Sequence, residues 1–117
     1  MTISEIQQKY GLTSSSVKSL DKGLNAQQVK RIYCSGLLAS APAFLFSSLV
    51  KASESPALFI LNDMEEAGYF YHDLCQILGT ERVLFFPSSY RRAIKYGQKD
   101  AANEVLRTEV LSSLNKG

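Results

Sequence analysis

The stretch that most constrains this chain is 29–50, VKRIYCSGLLASAPAFLFSSLV. Val29, Ile32, Tyr33 and Cys34 read as a buried strand, a loop containing Gly36 follows, and an apolar helix comes after it. Strand, glycine loop and helix in that order is the layout of a phosphate-binding loop. Its pattern (Gly, four free positions, Gly, Lys, then Ser or Thr) can be laid on the chain place by place. Gly36 takes the first glycine, and Leu37, Leu38, Ala39 and Ser40 fill the free positions. Ala41 then stands in place of the second glycine, Pro42 in place of the lysine and Ala43 in place of the hydroxyl residue.

A working loop points backbone N–H groups at phosphate oxygens, sets a Lys ammonium against them and gives a hydroxyl to Mg²⁺. Pro42 supplies neither an N–H nor a charge, and Ala43 has no hydroxyl. Ala41 resists the positive φ that a glycine adopts freely, whereas Pro42 suits the first turn of a helix. The layout is kept and the nucleotide chemistry is lost. An ordinary strand–loop–helix unrelated to phosphate loops accounts for the same stretch.

Further along, 57–61 (ALFIL) and 83–86 (VLFF) are continuous apolar runs of strand length, as in parallel strands covered on both faces. Each is followed by a helical pattern. Asn62 and Asp63 cap one helix, with Glu65 and Glu66 in its first turn, Ala67, Phe70, Leu74 and Ile77/Leu78 as its buried stripe, and Gly79 at its end. The last helix begins at Asp100, turns Val105, Leu106, Val110, Leu111 and Leu114 inward, and ends in a C-cap at Asn115, Lys116 and Gly117. Two amphipathic helices precede the first strand. One runs over 2–10, with Thr2 and Glu5 as a capping box and Ile3, Ile6 and Tyr10 on one stripe. The other runs over about 14–24, with Val17, Leu20 and Leu24 at helical spacing.

The expected fold class is therefore α/β: a parallel sheet of three strands with flanking helices, a P-loop NTPase-like core and two leading helices. The expected organisation is a helical extension over 1–28 and an incomplete α/β subdomain over 29–117. A chain that stops at a helix C-cap, where another strand would follow, reads as a fragment of something longer.

At 117 residues the chain is one domain's worth, and 45% hydrophobic with 21% charged residues is ordinary for a globular protein. A net charge of +2 does not by itself argue for nucleic acid or membrane. The apolar runs are too short to span a bilayer, and the first residues carry no apolar signal-peptide core. Cys34 and Cys75 form no C-x-x-C pair, and His72 is the chain's one histidine, so no metal-ligand set is expected. Both cysteines are expected as reduced, small core hydrophobes in the cytoplasm.

Arg91, Arg92 and Lys95, flanked by Tyr90 and Tyr96, form a basic cluster in a stretch with no clear period. Three readings are open: contact with a nucleic-acid backbone with aromatic stacking, a solvated loop paired with Asp100, Glu104 or Glu109, and contact with a partner protein. His72 beside an apolar stripe is expected to be structural, because no nucleophile or pocket goes with it. Asp63, Glu65 and Glu66 are expected to cap a helix rather than do acid–base or metal work. Ser47, Ser48, Ser88 and Ser89 have no His or Lys partner in register for nucleophilic catalysis.

The runs 62–78 (NDMEEAGYFYHDLCQIL), 83–89 (VLFFPSS) and 91–114 (RRAIKYGQKDAANEVLRTEVLSSL) resemble the N-terminal region of bacterial transcription-repair coupling factors (Mfd), of the Bacteroidetes type. The resemblance covers nearly the whole chain and is strongest from Gly36 onward. That module is similar to the first subdomain of the nucleotide-excision-repair protein UvrB, whose working phosphate loop is degenerate in the coupling factors, as at Ala41, Pro42 and Ala43 here. The resemblance implies a non-catalytic module that needs no cofactor. It implies ATP hydrolysis by motors downstream in a parent DNA translocase, UvrA contact chiefly through the adjacent domain, and RNA polymerase and DNA met by the parent. The rival expectations are a nucleotide-binding domain with an unorthodox loop and a nucleic-acid-binding module using Arg91, Arg92 and Lys95.

Overall fold

The computed structural model describes residues 1–10, 15–26, 31–52, 55–88 and 101–117. They fall into two units, Met1–Phe59 and Ile60–Gly117. The boundary expected at 28/29 lies among residues 27–30, outside the described ones.

In the first unit α1 (Ile3–Tyr10) opens on the expected reciprocal cap. The Glu5 N–H donates to Thr2 Oγ1 at 3.2 Å, and the Thr2 N–H donates to Glu5 Oε2 at 2.6 Å. Two N–H groups that a helix start leaves without partners are thereby satisfied. α2 (Ser15–Asn25) buries Val17, half-buries Leu20 and leaves Leu24 exposed. α3 (Ala41–Ala52) buries Ala43, Ser47, Ser48 and Leu49, a face of mostly small side chains, and touches α2. Phe46 packs a tilted ring on Phe59 at a centroid distance of 5.6 Å.

In the second unit α4 (Met64–Leu78) starts at Asp63, whose side chain accepts the Glu66 N–H at 2.8 Å. Glu66 Oε2 reaches back to the backbone N–H and the side-chain amide of Asn62 at 3.1 and 3.0 Å. Leu74 is buried, while Ala67, Phe70, Ile77 and Leu78 are half-buried, so the expected stripe is the inward one. Gly79 ends the helix at φ 91, a left-handed backbone that glycine adopts without a Cβ clash, and a 3-10 turn over Thr80–Arg82 follows. α5 (Ala101–Asn115) ends as expected, with Gly117 at φ 75 and its N–H on the Leu114 carbonyl.

No β-strand is present among the described residues, which corrects the expected α/β fold, its parallel three-stranded sheet and its P-loop-like core to an all-helical architecture. The described parts of the three apolar runs, 31–34, 57–61 and 83–86, have no regular secondary structure. The physical reason lies in what an apolar run specifies. It favours a pleated, half-buried surface, but a strand exists only where a second backbone supplies the ladder of hydrogen bonds. Side chains that two covering layers would hide stand open instead: Tyr33 is 91% exposed and Leu58 83%. Cys34, expected in a core, is exposed as well.

α5 carries a second correction. Val105, Leu111 and Leu114 were expected inward and are exposed, Val105 by 68%. The inward stripe is Asn103, Leu106, Arg107 and Val110, at the i, i+3, i+4, i+7 spacing of one helix face. Two of its four members are polar. Asn103 is buried and sends its amide to the Ser88 carbonyl at 3.5 Å, a long and weak bond, and Arg107 Nη1 donates to the Pro87 carbonyl at 2.9 Å. The Arg107 guanidinium also lies over the Phe86 ring, 4.2 Å from its centroid. Polar anchoring of the segment 83–88 takes the place of an apolar seam.

Candidate functional site

Residues 36–43 connect the irregular segment before α3 to its first turn. Gly36 sits at φ 79 and Ala39 at φ 51, so the left-handed residue after Gly36 is Ala39 rather than the Ala41 of the phosphate-loop register. An alanine in that region is strained by roughly 1–2 kcal/mol. The Ala41 N–H donates to the Leu38 carbonyl at 3.0 Å, and the Phe44 N–H donates to the Ser40 carbonyl at 3.2 Å. Pro42 has no N–H to give, and Ala43 is fully buried. A helix start holds an anion by aiming free N–H groups at it. Here two of the first four are engaged within the chain, one is missing and one is enclosed.

Behind the loop the hydroxyls of α3 are also engaged. Ser47 and Ser48 both donate to the Phe44 carbonyl, at 2.9 and 3.0 Å. Ser47 Oγ further accepts from Gln7 Nε2 at 3.1 Å, and Gln7 Oε1 accepts from Lys51 Nζ at 2.7 Å. Gln7 therefore bridges α1 to two residues one turn apart on α3. Ser47 and Ser48 have no His or Lys partner in register, and the geometry gives these hydroxyls a packing role. The Gln7 bridge went unread, because a glutamine on an exposed-looking helix carries no partner signal in one sequence.

The other candidates separate. Arg91, Arg92, Lys95, Tyr90 and Tyr96 lie outside the described residues, as does Ser89. His72 is exposed. Asp63 and Glu66 are cap residues with the bonds given above, as expected of them. Among the described residues no group of three or more His, Cys, Asp or Glu side chains is placed to hold a metal ion. None of the described helices is long and apolar enough to cross a membrane.

One titratable group the sequence did not single out is perturbed. Tyr71 packs on Phe85 at a ring distance of 5.3 Å, and its phenol is pushed above its ordinary value of 10.0. The hydrogen bond with Cys75 one turn along is the largest cause. Burial follows, then the charges that Cys75 and Glu109 carry when ionised. Asn103 and Arg107 were equally missed. Their spacing of four on one helix was the available signal, and it points to a shared docking partner.

No protein-family model, curated protein or solved structure matches this chain.

Proposed function

We propose that this chain is a non-catalytic N-terminal module of a cytoplasmic transcription-repair coupling factor, one that packs against other domains of its parent and supports UvrA recruitment by the domain beside it. DNA and RNA polymerase are met by the parent, whose downstream motors hydrolyse ATP. The reading rests on the likeness of residues over 62–78, 83–89 and 91–114. The sheet that the likeness implied is not part of it.

The observation that carries the proposal is the start of α3. The Ala41 N–H is bonded to Leu38, Pro42 has no N–H, Ala43 is enclosed, and neither Pro42 nor Ala43 brings the charge or hydroxyl that nucleotide chemistry needs. Packing against other domains is supported by apolar side chains open to solvent in each unit, among them Tyr33 and Leu38 in the first and Val105 and Leu114 in the second.

The test is a titration with a fluorescent ATP analogue in Mg²⁺, beside a Pro42→Lys/Ala43→Thr variant. The natural chain is expected to show no saturable binding into the millimolar range, and a chain extended through the following domain is expected to retain UvrA in a pull-down. Micromolar nucleotide binding by the natural chain would make the loop a live site and overturn the proposal. So would failure of the extended chain to hold UvrA.

A further inference from the structure

Helices α1, α2 and α3 and the segment 32–37 border a half-open pocket of about 790 Å³ within the first unit. We infer that this cavity is a binding site for a small, uncharged, predominantly apolar molecule. The inference stands apart from the coupling-factor reading and does not depend on it.

The volume falls within the roughly 300–1,000 Å³ over which pockets bury most of a drug-sized ligand. Each bordering element gives it apolar lining: Ile6 from α1, Val17 and Leu20 from α2, Ile32 from the segment, and Phe44 and Leu45 from α3. Among the described residues no Asp, Glu, Lys, Arg or His lines it, so a charge carried into it would meet no counter-charge from them. The polar groups on the deeper wall already have partners. The Gln7 amide is held by Ser47 and Lys51, and the Ser48 hydroxyl is given to the Phe44 carbonyl. Exposed polar atoms at Ser19, Ser35 and Cys34 line the same cavity, which places any hydrogen-bonding group of the ligand toward solvent. A pocket so lined gains by covering its apolar atoms, because a ligand seated there takes them out of contact with water.

Two exposed residues make the site addressable. Cys34 offers a thiol on the cavity wall, and Ala41 stands at an exposed position in the first turn of α3 while lining the cavity. The probe is N-phenylnaphthylamine, an uncharged fluorophore, titrated into the full chain. Saturable one-to-one binding is expected, with a rise in Tm. Thiol labelling of Cys34 should slow about tenfold when the probe is at ten times its Kd, following the fall in unoccupied protein.

Leu20→Trp fills the cavity from α2 and should weaken binding by about tenfold or more, the loss of at least 1.4 kcal/mol. Because a core change can unfold the unit, Ala41→Phe enters the same space from a surface position, and its helical circular dichroism is checked beside it. Anilinonaphthalene sulfonate, the anionic analogue, should bind more weakly than the uncharged probe. Non-saturable binding would overturn the inference, as would unchanged Cys34 labelling, equal affinity for the anion, or full affinity retained by a folded Ala41→Phe.

Discussion

Gly23, in the last turns of α2, lies where a Cβ would come within 3.2 Å of Ile32 Cδ1. That atom is the free end of a side chain 41% exposed, so it can yield by the few tenths of an ångström required. Alanine is favoured over glycine inside a helix by about 1 kcal/mol, which outweighs so small a displacement. Gly23→Ala should therefore raise the urea midpoint modestly, whereas Gly23→Leu, which cannot be absorbed there, should lower it. Tyr71 makes a prediction at the same scale. Its phenol titrates above the ordinary 10.0, so the neutral form is the one the fold favours. The stability it contributes is complete below the unfolded value of about 10 and is lost as pH rises through the raised folded value. Phenolate absorbance should show an alkaline-shifted step that Tyr71→Phe lacks. The variant should also lose less stability than the natural chain across that alkaline window.

At the scale of elements, α5 holds the segment 83–88 through two polar side chains on one face. Arg107→Ala removes a charged bond to the Pro87 carbonyl and the stacking on Phe86, and should cost about 1–2 kcal/mol in urea unfolding. Arg107→Lys should recover less than half of that, since an ammonium cannot stack as a planar guanidinium does. Asn103→Ala should cost less, and the double variant should fall short of the sum by about 0.5 kcal/mol or more, because both residues anchor one segment. Strict additivity would mean that each holds the segment independently. The elements differ in how far they could be read beforehand. The capping box of α1, the Asp63 cap and stripe of α4, and the glycine ends at Gly79 and Gly117 rest on contacts within a few residues, and local chemistry specifies those. The inward face of α5 was misread because hydrophobicity pointed to Val105, Leu111 and Leu114. The inward members, buried Asn103 and half-buried Arg107, are polar groups made acceptable by carbonyls fifteen and twenty residues back. At the loop, the missing charge and hydroxyl at Pro42 and Ala43 were plain in the sequence. The left-handed residue at Ala39 was not, since it depends on how the turn closes.

For the whole molecule the sheet is the feature that pattern alone overstated. Three apolar runs at the right intervals satisfy the arithmetic of an α/β fold, yet pairing is a relation between distant backbones, and no single run encodes it. Infrared amide I bands from the purified chain should accordingly be dominated by helix and irregular structure, since no strand forms among the described residues. A dominant sheet band in dilute, monomeric protein would contradict that architecture. The Gln7 bridge has a consequence in time as well as in energy. Its bonds to Ser47 and Lys51 close loops of 40 and 44 residues, against 15 and 20 for the anchors of α5. Closing the longer loop costs only about 0.6 kcal/mol more per doubling, but that ordering must be completed before the bridge returns anything. α1 should therefore be the late arrival in folding and the early departure in native-state opening. Its amide protons should exchange with deuterated solvent sooner than those of α4, whose caps are all its own.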